Sequence, residues 1–321
     1  MKTEFKKRRP QQIAFIATPG FRHDHPDIVS HFIRTRLFPL SQICPILATG
    51  NTFKFLSEIL NQRYSSLSSI EQSEIKQAMN ISSFLPHNYK AWQQQLLDRV
   101  TPKLPGTSGI VEILVELVEG RLAGIIHLTH PHDIETKADS DVLWREANVH
   151  GIPIAHNVTT ANKFIKSWSS GSKLTERPGK TLANVMKGIE EGSRVLAMIA
   201  HDGKKLDICR FAVEHAERIL AYDYILTTGA TGRMLTEILR AKDPNVNVDK
   251  IKICESGPDG GDIKIAHAII KGLCQTVIFF QDPLASHPHE VDIRLFGQII
   301  VSNKDHPIEL ATNAAAASLI V

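Results

Sequence analysis

Residues 225–239 read ILTTGATGRMLTEIL, and residues 46–60 read ILATGNTFKFLSEIL. Ile, Leu, Thr, Gly, Thr, Leu, Glu, Ile and Leu coincide at an offset of 179. Two weaker matches keep the same order: IAFIATPG (13–20) with LAMIAHDG (196–203), and AHNVTTANKFI (155–165) with ATNAAAASLIV (311–321). The last offset is 156, so the first copy is the longer one, and the polar, helix-rich stretch SSLSSIEQSEIKQAMNISSFLPHNYKAWQQQLLDRV carries the surplus. The chain therefore reads as two tandem copies of one domain, residues 1–175 with a helical insertion near 61–100 and residues 176–321. They are joined through WSSGSKLTERPGKT, whose Ser, Gly and Pro content is that of a linker.

Composition agrees with two domains. The chain has 321 residues, 42% of them hydrophobic, enough for two cores of ordinary size. Its formal net charge of +3, from 37 basic and 34 acidic residues, gives no reason to expect a nucleic-acid or membrane partner. The basic run at Lys6–Arg9 reads as a solvated terminus, with no apolar segment of signal-peptide or membrane-span length after it, so a cytoplasmic protein is expected. Cys44, Cys209, Cys254 and Cys274 lack CxxC spacing and suggest neither a zinc site nor a disulfide framework, only buried thiols.

Within the second copy the apolar runs VLAMIA, YILT, KIKIC, TVIFF and PIEL read as short buried strands, each followed by a loop and then a segment with helical spacing. Ile263, Ile265 with Ala266, and Ile269 with Ile270, for example, fall on one helical face. Strands alternating with helices predict an α/β fold: an open, mainly parallel sheet flanked by helices. In such sheets ligands sit beyond the carboxyl ends of the strands. HDGKK, TTGATG, ESGPDGGD and QDPLASHPHEVD would then emerge on one edge and converge.

TTGATG and SGPDGG offer backbone N–H groups and small residues at helix starts, an arrangement that favours an anion. Thr228, Thr231 and Ser256 add hydroxyls and Lys205 adds charge, so phosphate is the simplest guest. Neither loop matches the Walker or dinucleotide fingerprint, and a nucleotide is not indicated. Asp202, Asp262, Asp282 and Asp292 remain, with His201 and His289. One reading makes these acids helix caps and turn residues. A metal site is the second, although the set lacks compact ligand spacing such as HExxH, and no metal is expected. In the third, carboxylates crowded beside a phosphate abstract a proton next to a carbonyl, with environments that separate acid from base.

HDxxK, TGxTG, SGPxGGD and DPLxxxPHxxD, in this order and at these separations, resemble methylglyoxal synthase, a phosphate-eliminating lyase. The resemblance covers nearly all of residues 195–321. It implies two tandem methylglyoxal-synthase-like domains, with conversion of dihydroxyacetone phosphate to methylglyoxal and inorganic phosphate, and no cofactor. It makes Asp262 the catalytic base and places His201, Lys205, Thr228, Gly229, Ala230, Thr231, Ser256, Gly257 and His289 around the substrate and its phosphate. Asp202, Asp282 and Asp292 match the remaining active-site carboxylates, and His289 would hydrogen-bond the carbonyl oxygen. The family is usually a homohexamer of single domains, so a homo-oligomer is expected here, as a trimer of two-domain chains imitating six subunits.

There are departures. Ala230 stands where the family commonly has Thr, about three extra residues separate Asp292 from ATN, and the chain stops at Val321 where relatives continue. The first copy differs more. It has Thr18 and Pro19 in place of His201 and Asp202, LPGTSGI with Ile110 at the base position, and His130 in place of Asp282. A hydrocarbon takes no proton, so no chemistry is expected there, although ATGNT at 48–52 keeps an anion cradle. HLTHPH, with His127, His130 and His132, reads as unliganded histidines more readily than as a metal site. The alternative for the whole chain is a non-catalytic anion-binding regulatory module, since the same fold resembles the effector domain of carbamoyl phosphate synthetase.

Overall fold

The computed structural model describes residues 11–78, 86–130, 133–171, 185–282, 285, 290–302 and 306–321. The chain divides into two compact units, Met1–Gly179 and Lys180–Val321. In the first, β1 (Gln12–Ala17), β2 (Ile46–Ala48), β3 (Val100–Pro102), β4 (Leu122–Leu128) and β5 (Ile154–Ala155) form a sheet in the order β3-β2-β1-β4-β5. In the second, β6 (Val195–Ala200), β7 (Tyr224–Thr227), β8 (Ile251–Ile253), β9 (Thr276–Phe280) and β10 (Glu309–Ala311) form one in the order β8-β7-β6-β9-β10. The two orders are the same, and every pairing among the described residues is parallel. Each unit is thus an α/β fold, a five-stranded parallel sheet flanked by helices.

The register shows the sequence repeat in space. Ile13 pairs with Ile46 and Gly124, while Leu196 pairs with Ile225 and Thr276. The short match AHN/ATN has a local cause as well. Asn157 caps the helix Val158–Ser169 by accepting from the Thr160 N–H at 2.8 Å, and Asn313 caps Ala314–Ile320 by accepting from Ala316 at 2.9 Å. VLAMIA, TVIFF and LAGIIHL are buried at every position, the pattern of strands covered by helices on both faces. Leu196, Met198 and Ala200 share a core with Ile208, Phe211, Leu235 and Phe280.

Two segments differ from their sequence reading. The helix Gly261–Ile270 is buried all round except at His267, including Asp262 and Lys264, and the helix Glu290–Ser302 packs against it. Between β2 and β3 the polar stretch forms the helices Ser69–Ala78 and Pro86–Leu97, which bury an apolar stripe of Ile75, Tyr89, Trp92 and Leu96. Trp92 stacks on Tyr89 at 5.2 Å and meets Phe38 at 5.7 Å, so this surplus belongs to the core of the first unit. All four cysteines are buried and free.

Candidate active site

Because the strands are parallel, the segments after β6, β7, β8 and β9 leave the same edge of the sheet. The first strand of the unit, β6, lies between β7 and β9, and the chain reverses its winding there, which opens a crevice at that edge. A cavity of about 250 Å³ occupies this place, lined by His201, Asp202, Lys205, Thr228, Ala230, Ser256, Gly257 and Asp262, together with Ile199, Ala200 and Phe279.

Backbone bonds tie the loops in pairs. The Gly229 N–H donates to the Glu255 carbonyl at 2.9 Å and the Cys254 N–H to the Thr227 carbonyl at 2.8 Å, joining the β7 and β8 loops. The His201 N–H donates to the Phe280 carbonyl at 3.1 Å, and the Asp282 N–H donates to His201 Nδ1 at 2.8 Å, joining the β6 and β9 loops. An Nδ1 that accepts leaves the proton of a neutral imidazole on Nε2, so His201 offers a donor at that nitrogen. Its ring stands edge-on to Phe279, with centroids 5.1 Å apart.

Anion-favouring groups line one wall. Thr228 precedes the helix Gly229–Lys242, whose first-turn N–H groups have no carbonyl one turn back. Lys205 opens the helix Lys205–Glu214 and pairs with Asp202. Ser256 donates to Asp259 Oδ2 at 2.5 Å, and both lie at the turn Gly257–Asp259. Next to this turn Asp262 sits in the first turn of Gly261–Ile270, 8% exposed. The sequence SGPDGGD permits this placement. Gly260 is left-handed at φ 95°, and a Cβ on Gly257 would stand 2.6 Å from Asp262 Oδ2. Cys254 is no nucleophile, since burial pushes its thiol up to about 12.

Of the residues singled out from sequence, eight line the cavity together. Gly229 supports it from the start of its helix, where a Cβ would crowd the Ser256 N–H at 3.1 Å. Thr231 is wholly buried beneath the loop, outside the lining, and its hydroxyl has no partner among the described residues. Asp282 lies beside Gly203, whose Cβ would approach its carboxylate at 2.8 Å. His289 and the side chain of Asp292 fall outside the described residues; Asp292 belongs to the helix Glu290–Ser302. Sequence reasoning missed Phe279 as a wall and the buried Lys264 behind the loop. A lysine inside the apolar run DIKIAHAII was the available signal for the latter.

The first unit has the same frame with other side chains. The Gly50 N–H donates to the Leu104 carbonyl at 3.0 Å, as Gly229 does to Glu255. A Cβ on Gly109 would stand 1.8 Å from the Leu104 oxygen, and one on Gly261 2.1 Å from that of Glu255. Ile110 and Asp262, each following its crowded glycine, thus occupy equivalent places. Thr18 stands at the position of His201, and its hydroxyl donates to Asp133, while His130 carries the backbone N–H that donates to the same carboxylate at 3.2 Å. His132 lies outside the described residues.

A comparison with protein-family models gives no match. The chain is 38% identical over 126 residues to methylglyoxal synthase from Clostridium botulinum (strain Alaska E43 / Type E3), an alignment covering 39% of this chain and 96% of that protein. It is 36% identical over 126 residues to methylglyoxal synthase from Brucella ovis, covering 92% of that protein. A crystal structure of methylglyoxal synthase from Elizabethkingia anophelis NUHP1 matches 40% of this chain and 76% of its own at 31% identity, with a TM-score of 0.34. An identity of 38% sustained across 96% of a relative, with the cavity and its carboxylate at the carboxyl edge of a parallel sheet, makes this chain a member of the methylglyoxal synthase family.

Proposed function

We propose that the second unit is a methylglyoxal synthase, converting dihydroxyacetone phosphate to methylglyoxal and inorganic phosphate. The observation that carries this reading is Asp262, a carboxylate 8% exposed that lines one cavity with Thr228, Ala230 and Lys205. A phosphate held on the helix start and Lys205 would present the rest of a three-carbon substrate to that carboxylate. Asp262 takes a proton from the carbon bearing the free hydroxyl, and the electron pair moves to the carbonyl oxygen to give an enediolate. The bond from carbon to the phosphate oxygen then breaks as the hydroxyl oxygen becomes the aldehyde, phosphate leaves with the bonding pair and takes up the hydroxyl proton, and the remaining enolate takes a proton on carbon, returned from Asp262, to become methylglyoxal.

Donors fixed toward the developing charge usually supply the largest share of such catalysis. His201 would supply its Nε2 proton, and the N–H groups at the start of Gly229–Lys242 would meet the leaving phosphate. His289 at the carbonyl oxygen, and Asp202, Asp282 and Asp292 as further active-site carboxylates, complete the reading on grounds of sequence. Neither acid–base catalysis nor elimination of phosphate calls for a cofactor. The reading includes a cytoplasmic setting and a homo-oligomer.

The test is direct. The purified full chain is mixed with dihydroxyacetone phosphate, and methylglyoxal and inorganic phosphate are assayed in parallel. Both should appear in equal amounts above the spontaneous rate. Saturable phosphate binding with neither product would reject the lyase and favour the regulatory anion-binding module.

A further inference from the structure

The first unit keeps a cavity at the place of the active site, about 50 Å³ in volume, and polar atoms without partners surround it. His127 on β4 is 1% exposed and Asp139, in the helix Lys137–Val149, is 6% exposed. His127 Nδ1, Asp139 Oδ1, Thr136 Oγ1 and Arg22 Nε have no hydrogen-bond partner among the described residues, and all four side chains line this cavity. A buried polar group without a partner costs stability, so four around one space mark a site shaped by something other than packing.

Their positions are informative. In register His127 pairs with Ile16 as Phe279 pairs with Ile199, so an imidazole stands where the second unit has a phenyl ring. Arg22, four residues beyond Thr18, takes the place that Lys205 holds four beyond His201. Thr49 and Asn51 line the cavity at the start of the 11-residue helix Gly50–Leu60. Asp139 accepts from Thr107 at 3.3 Å with Oδ2 and leaves Oδ1 unpaired. The lining therefore holds groups that suit an anion and groups that suit a hydroxyl. Ile110, 4% exposed, lies where a base would be needed.

We infer that the first unit binds a small hydroxylated phosphomonoester without transforming it, its phosphate on Arg22, Thr49, Asn51 and the Gly50–Leu60 helix start and its hydroxyl against His127 and Asp139. Several donors at one helix start match the several oxygens of a phosphate better than the two of a carboxylate. The bound molecule would give the orphaned His127 and Asp139 atoms their partners.

Tryptophan fluorescence of the full chain tests this, because Trp92, Trp144 and Trp168 all belong to the first unit. Trp144 donates from Nε1 to His156 Nδ1 at 2.7 Å, and the His156 ring stands 6.1 Å from that of His127. Glycerol 3-phosphate should change the emission saturably, glycerol should not, and inorganic phosphate should bind more weakly than glycerol 3-phosphate. Arg22→Gln should weaken the response about tenfold or more, as loss of a charge-assisted contact does, while Lys205→Gln, in the second unit, should leave it in place. His127→Phe supplies the residue of the equivalent position. It should raise the melting temperature and weaken glycerol 3-phosphate binding about three- to tenfold. No saturable change, a response lost with Lys205→Gln, equal binding of inorganic phosphate, or a His127→Phe variant that melts lower and binds as before would each overturn the inference.

Discussion

Lys264 Nζ lies 2.6 Å from Glu255 Oε2, with the two side chains 1% and 12% exposed. The same Glu255 gives its carbonyl to the Gly229 N–H and crowds Gly261, whose Cβ would stand 2.1 Å from that oxygen. One residue thus joins the loop after β8 to the start of the helix after β7 and to the helix that carries Asp262. Replacing Lys264 by Met leaves the Glu255 charge in the interior without its partner. Breaking one side of such a pair should cost on the order of 3 kcal/mol, read as a lower urea midpoint. Lys264→Met with Glu255→Gln should recover most of it. An unchanged midpoint in the single variant would show the pair to be idle.

Asp262→Asn keeps the shape of the side chain and removes its capacity to accept a proton. Turnover of dihydroxyacetone phosphate should fall by at least about 10² to 10⁴, the usual contribution of a general base. Phosphate binding, measured by calorimetry, should persist. A variant within about twofold of the parent would remove Asp262 from the mechanism.

The repeat made the fold legible, because a strand, its loop and the next helix recur with their spacing, and parallel sheets follow from that alternation. The loops after β6, β7 and β8 were legible for the same reason: the carboxyl edge of a parallel sheet collects segments far apart in sequence, and the greater part of the loop after β9 lies outside the described residues. What stayed hidden were relationships that depend on depth. Thr231 reads as a phosphate-binding hydroxyl in TTGATG, yet it is fully buried, in a turn so close to β7 that a Cβ on Gly232 would stand 2.1 Å from Thr227 Oγ1. The insertion reads as polar, yet Tyr89, Trp92 and Leu96 at helical spacing carry it into the core. Ile110 was recognisable as a lost base, but Asp139 as a buried acid lining the first cavity was not, since only the fold brings its helix there.

Thr231→Val separates two roles for a hydroxyl that has no partner among the described residues. If that hydroxyl meets the substrate phosphate, KM should rise by the equivalent of roughly 0.5–3 kcal/mol with kcat little changed, the range for neutral to charge-assisted hydrogen bonds. Folding stability should hold or increase, because valine fills the same volume without a buried orphan. A lower melting temperature with KM intact would make Thr231 a structural residue.

Assembly gives a further expectation. Closed symmetry is the common state of homo-oligomers, and two tandem units per chain reach the six units of a hexamer with three chains. Light scattering should return three times the mass of one chain. A monomer, or a particle of six chains, would remove the idea that the first unit stands in for separate subunits.

The first cavity also makes stability depend on pH in two opposed ways. Burial, aided by His156 and opposed by Asp133, pulls the His127 imidazole down to about 3 from its ordinary 6.5, and burial, opposed by the Thr107 hydroxyl, pushes Asp139 up to about 6 from 3.8. As pH falls below 6.5 the unfolded chain protonates His127 before the folded one does, so stability is lost until about pH 3. As pH rises from 3.8 to about 6 the unfolded chain ionises Asp139 first, so stability is lost in the other direction and stays lost at neutral pH. Between these limits the two slopes oppose each other and the parent protein should show little net change from this pair. Single substitutions expose each slope. Asp139→Asn should be more stable than the parent at pH 7 by up to about 3 kcal/mol, with the gain gone below about pH 4. His127→Phe should differ least above pH 7 and gain steadily on the parent as pH falls toward 4. Urea unfolding at pH 4, 5.5 and 7 measures both, and parallel curves for parent and variants would show that neither group is held out of water as deeply as its burial implies.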